Sequence, residues 1–253
     1  MPAAKRRRDP ATGAAAPKPG LPVPAPETLT LPLGTARVEW RRSQRARRIS
    51  LRIDPRGGVV VVTLPPRAGR AAGMALLADH ADWVADRLAA LPGAVTFADG
   101  ATVPLDGTPH PIRHVPGGRG GAWLTEGTIR VSGEAVFLSR RVGDFLREEA
   151  RRRLALRVAA AAEAAGLTPR RVTVKDTRTR WGSCSSTGVL MFCWRLVMAP
   201  PLVQEYVVAH ELAHLRHMNH GKAFWALVDT LTPHRAAAVA WLHEEGPRLL
   251  RIG

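Results

Sequence analysis

The stretch Tyr206-Val207-Val208-Ala209-His210-Glu211-Leu212-Ala213-His214 decides how this chain is read, and its core is His210-Glu211-x-x-His214. Pro200-Pro201 stand at its head, and a first helical turn loses nothing when a backbone donor is missing. Val203, Val207 and Leu215 recur at helical spacing, so a helix is predicted to open at the prolines. Residues four apart on a helix share one face, with Cβ atoms about 5–6 Å apart. Two imidazoles so placed can meet on one Zn²⁺ at about 2.0–2.1 Å each. Glu211 follows the first histidine directly and can reach an open coordination position. A carboxylate there can take the proton of a water acidified by the metal, and this spacing serves that chemistry.

A third ligand must come from further along. Four of the nine histidines lie between positions 210 and 220, and His220 is the leading candidate. An uninterrupted helix would carry His220 about 9 Å beyond His214, so the helix has to end and the chain bend back. Asn219 and Gly221, which tolerate left-handed backbone, are expected to supply that bend. His217, one turn after His214, and Glu244 or Glu245, by analogy with sites of two histidines and a glutamate, are the alternatives. A histidine-rich surface helix without metal is the competing reading of the whole cluster.

Upstream, Val172-Thr173-Val174 and Val189 to Trp194 read as strands flanking a turn at Arg180-Trp181-Gly182-Ser183-Cys184. The second of these reads equally as an edge strand that pairs with extended substrate or as an ordinary sheet strand. Arg180, Trp181 and Tyr206, the last sharing the ligand face, are candidate substrate-binding residues; a packed turn and a packed helix are the plainer uses. Residues 139–165 suggest a long basic helix stopped by Gly166, and two helices are expected at about 221–231 and 235–250. Between 95 and 138, short alternating stretches broken by glycines suggest a small antiparallel sheet. Met74, Leu77, Ala81, Val84, Leu88 and Leu91 predict one helix over 68–91, stopped by Pro92-Gly93. Three strands precede it, two joined by a hairpin at Asp54-Pro55-Arg56-Gly57-Gly58. Residues 1–27, rich in Ala, Pro, Gly and basic residues, lack the apolar content to fold and are expected to be a disordered tail.

Composition narrows the classes. With 253 residues, 45% of them apolar, the chain can bury a sizeable core. No apolar run is long enough to span a bilayer, and the basic residues Lys5 to Arg8 are followed by no apolar segment, so a cytoplasmic protein is expected. Two cysteines, Cys184 and Cys193, make no disulfide framework. The net charge of +16 suits either nucleic acid or acidic protein substrates, and its basic residues are spread without a nucleic-acid-binding motif.

From Arg180-Trp181-Gly182-Ser183-Cys184-Ser185-Ser186 through Trp194-Arg195-Leu196 and the histidine motif to Asn219-His220-Gly221 and Phe224-Trp225, the chain resembles the YgjP-like zinc metallopeptidase domain, akin to the SprT-like proteases. The likeness extends over about 35–245. It implies zinc held by His210, His214 and His220, with Glu211 as general base. Cys193 departs from the pattern, where the family is expected to prefer asparagine. The resulting expectation is an α+β fold: an N-terminal, mainly antiparallel β region with inserted helices over 28–138, then a helical, zincin-like metallopeptidase core over 139–253. The expected activity is zinc-dependent hydrolysis of peptide bonds in a peptide or protein substrate. A nucleotide phosphohydrolase and a nucleic-acid-associated protease or binding protein are the alternatives.

Overall fold

The computed structural model describes residues 26–32 and 34–253. Most of the expected N-terminal tail lies outside the described residues, and Glu27 already opens a strand. The first sheet comprises β1 (Glu27–Leu31), β2 (Gly34–Arg42), β3 (Ser50–Asp54) and β4 (Val59–Leu64), in the order β1-β2-β4-β3. β3 and β4 form the expected hairpin, whereas β2 runs parallel to β4. Val59 to Val62 are all buried, which is why an unbroken valine run serves as a central strand.

Two helices cover this sheet instead of the single predicted one: α1 (Arg70–Asp79) and α2 (Ala81–Ala89). His80 breaks the run with φ −113°, and its Nδ1 bonds the carbonyl of Leu76. The apolar periodicity survives the break, since Leu77, Ala81 and Val84 still bury against Val38, Val60 and Val62 in a core of their own.

The second sheet holds β5 (Thr102–Leu105), β6 (Thr108–Val115), β7 (Ala122–Thr125) and β8 (Thr128–Ser132), in the order β5-β6-β8-β7. It is mixed, because β6 and β8 are parallel. Its inner face shares one core with everything that follows. The backbone of that core is α3 (Leu138–Ala164), which buries Leu138, Val142, Leu146, Ala150, Leu154, Val158 and Ala162 at four-residue spacing. Gly166 ends the rise with φ +60°, and Leu167 N–H closes back on Ala162 C=O, the usual glycine stop.

A third sheet, β9 (Arg171–Lys175), β10 (Gly182–Cys184) and β11 (Val189–Cys193), has the order β10-β11-β9. β11 is therefore the central strand and not an edge; the edges are β9 and β10, the latter only three residues long. A buried 3₁₀ turn, Trp194–Met198, then feeds α4 (Pro201–Ala213), with Pro201 in its first turn as predicted. α5 (Lys222–Leu231), α6 (Arg235–Glu244) and α7 (Gly246–Leu249) complete the chain, so the last predicted helix is broken at Glu245. Antiparallel-rich sheets before a helical C-terminal part make this an α+β fold. Among the described residues, no helix is long and apolar enough to cross a membrane.

Candidate metal centre

α4 is nearly all core: Val203, Val207, Val208 and Leu212 are buried on its inner side. Its last turn leaves His210 half-buried, Glu211 buried and His214 half-buried at one end of the third sheet. The helix stops at Ala213, with His214 as its cap, well before the position at which the bend was expected. Leu215 and Arg216 N–H tighten onto the carbonyls of Leu212 and Ala213, and His214 Nδ1 bonds the carbonyl of His217. Neither Asn219 nor Gly221 takes a left-handed backbone; Gly221 has φ −76°. The early, tight end of the helix is what brings His220 back.

The rings of His210, His214 and His220 lie with centroids 5.1, 5.0 and 4.8 Å apart pairwise. One nitrogen from each falls within 4.8 Å of the others. Nε2 of His210 and Nε2 of His220 approach to 3.2 Å. Two ring nitrogens can face each other so closely only with a proton or a cation between them. Tetrahedral zinc with Zn–N bonds of about 2.0–2.1 Å would set that separation at about 3.3 Å.

Electrostatics favour the same state. Burial first, then the nearby His214 and His220, lower His210 to about 4, so at neutral pH it offers a lone pair and not a charge. Burial and His220 also lower His214, against the opposing bond to the His217 carbonyl. His214 Nδ1 donating to that carbonyl leaves its Nε2 as acceptor. Nδ1 of His210 is buried without a partner. A triad of imidazole nitrogens fits zinc better than the oxygen-seeking magnesium.

Glu211 is only 5% exposed. Burial pushes its carboxyl up to about 7, and Arg180 pulls it part of the way back. Its carboxylate lies against Gly182: a Cβ there would come within 2.5 Å of Oε1. Edge strand β10 thus touches the carboxylate through the one residue type that leaves room. Phe224, buried on α5, sits 5.0, 4.6 and 4.6 Å from the rings of His210, His214 and His220. It forms an apolar wall for all three imidazoles. Sequence reasoning missed Gly182 and Phe224 because their importance is a contact and not a residue type; the clue is that Phe224 lies only four residues after His220.

The remaining candidates separate. Arg180 is exposed on the loop before β10. Trp181 packs toward Gly246, and its carbonyl accepts Cys193 N–H. Tyr206 is buried with its ring 5.9 Å from His210. The thiol of Cys184 is raised by burial and by Glu211, and neither cysteine, nor Glu244 or Glu245, joins the cluster with the histidines. The buried Cys193 reaches only the carbonyl of Thr177.

Helix-borne histidines, a returning third histidine and a buried glutamate beside them describe a metallopeptidase. A model of the YgjP-like, metallopeptidase domain matches residues 47–245, and the chain belongs to that family. The family implies a divalent metal and a peptide or protein substrate. The crystal structure of the metallopeptidase zymogen of Pyrococcus abyssi abylysin is similar to this chain with a TM-score of 0.33 and 17% identity, covering 36% of this chain and 93% of that one. No curated protein matches.

Proposed function

We propose that this chain is a zinc metalloendopeptidase whose metal is held by His210, His214 and His220, with Glu211 as general base. The carrying observation is the convergence of the three imidazoles beside a buried carboxyl on a metallopeptidase domain. Bound zinc supplies Lewis acidity for the scissile carbonyl and acidity for a neighbouring water. The chain's own residues do the rest. Glu211 accepts a proton from that water at a carboxylate oxygen and returns it to the leaving amine nitrogen. Gly182 lets β10 approach the carboxylate, and the free edge of β10 offers main-chain donors and acceptors to an extended substrate. Phe224 keeps water from the far side of the imidazoles. Free cysteines at 184 and 193 suit the reducing cytoplasm.

Metal analysis and peptide hydrolysis test this together. The purified chain should carry about one equivalent of zinc and cleave an unstructured peptide pool. Glu211→Gln should keep the zinc and lose about 10²–10⁴-fold in kcat. Zinc retained at wild-type levels in His220→Ala would remove His220 from the site.

A further inference from the structure

The third sheet has a second, open face on the side away from α4. Leu190 and Phe192 of β11 are buried on the α4 side, while Val189 and Met191 point the other way. Across the three strands, Thr173, Met191 and Ser183 are register partners and form one row on that face. The row is the floor of a groove of about 580 Å³. Arg171 and Lys175, two positions on either side of Thr173, stand along one wall, and Arg180 stands on the other. All three are exposed, and none of the lining residues is acidic.

The neighbouring arginines are different. Arg56 and Arg195 share Asp176, and Arg178 meets Asp54. Along α3, Arg147, Arg151 and Arg152 are matched to glutamates or aspartates one turn away. Among the described residues, Arg171, Lys175 and Arg180 form no such pair. Their groove also shares β10 with the metal centre: Gly182 faces Glu211, and Ser183, next to it, faces the groove. Successive residues of a strand point to opposite faces, so a segment paired with the edge of β10 alternates between the metal side and the groove side.

We propose that this groove is a specificity subsite for acidic polypeptide: it selects substrates that carry Asp or Glu beside the bond to be cleaved. The inference rests on the peptidase reading of the metal centre. Arg171, Lys175 and Arg180, with the hydroxyl of Ser183, match carboxylates, and Met191 and Val189 give an apolar floor for the stems of those side chains. Single-stranded nucleic acid is the weaker match. Its bases stack on aromatic platforms, and no Phe, Tyr, Trp or His lines the groove.

The test uses two fluorescent peptides that differ only in Glu against Gln at alternate positions. Their binding to the zinc-loaded Glu211→Gln chain is read by fluorescence anisotropy at low salt. The glutamate peptide should bind about ten-fold more tightly, as a few exposed charge pairs permit, and the preference should shrink as salt rises. Arg171→Gln with Lys175→Gln should bring the ratio to about one, and Arg171→Glu with Lys175→Glu should invert it. Unchanged thermal melting checks that these exposed substitutions leave the fold intact. Equal binding of both peptides, or a preference that survives both double variants, overturns the proposal. So does an oligonucleotide that binds more tightly than the glutamate peptide through the same two residues. If wild type cleaves neither peptide while the binding ratio behaves as stated, the groove stands and the peptidase reading falls. If it cleaves both equally and binds them equally, the groove falls and the peptidase reading stands.

Discussion

Glu211 and His210 are neighbours that burial drives in opposite directions. In the metal-free chain, burial holds the Glu211 carboxyl at about 7, above the ordinary 4.5. Folding therefore favours its protonated form. That contribution is fully present below about pH 4.5 and is lost as pH rises through about 7. Glu211→Gln should raise the Tm of chelator-treated protein at about pH 8 by an amount worth on the order of 2–3 kcal/mol, and should change little at about pH 4. An equal effect at both pH values would contradict the assignment. His210, lowered to about 4 chiefly by burial, has the opposite sign: its contribution is present above about 6.5 and is lost as pH falls through about 4. Gly182 is the other sensitive residue. A methyl at 182 would meet Glu211 Oε1 at 2.5 Å, so the carboxylate must swing away. Gly182→Ala should lower kcat by about ten-fold or more while the zinc content stays at wild type, because proton transfer depends on that carboxylate's reach. Zinc loss with unchanged kcat per metal would refute this.

The elements that place these residues meet at a loop. Residues 176–181 run from β9 into β10 and are pinned from the first sheet: Arg56 reaches Asp176 at 2.9 Å, and Arg178 lies 3.5 Å from Asp54. Asp176 also bonds the fully buried Arg195 at 2.5 Å, which in turn donates to the carbonyls of Ile252 and Gly253. Burial alone would raise Asp176, but Arg195 and Arg56 together hold it below the ordinary carboxylate range. Asp176→Ala strands the Arg195 charge and should cost about 2–3 kcal/mol, read by denaturant titration; the partial exposure of Asp176 keeps this below the cost for a fully buried pair. A loss under about 0.5 kcal/mol would show that the two carbonyls suffice for Arg195. Sequence periodicity revealed α3, α4 and the β3–β4 hairpin, because each is written in local spacing and local stop signals. Strand order was not legible: alternation tells which face of β11 is buried and says nothing of which neighbours it has. The break at His80 was hidden because α2 continues the apolar stripe of α1. The return of His220 was legible as a need, but the bend is made by an early helix end and not by the left-handed backbone that Asn219 and Gly221 suggested.

At the scale of the molecule, one core joins the second sheet, α3, the third sheet and α4 through α7, while the first sheet and its two helices keep a separate one. The candidate metal centre lies on the larger core. Binding that favours the folded state adds about 4 kcal/mol of stability when free zinc exceeds its dissociation constant a thousandfold. Chelation should therefore lower Tm by about ten degrees, and zinc should restore it. His210→Ala should melt alike with and without chelator. The most direct test of the account is X-ray absorption of the zinc-loaded chain. Three imidazole nitrogens and one further light ligand at about 2.0–2.1 Å are expected, at one zinc per chain. A sulfur shell at about 2.3 Å, or fewer than three imidazoles, would contradict it.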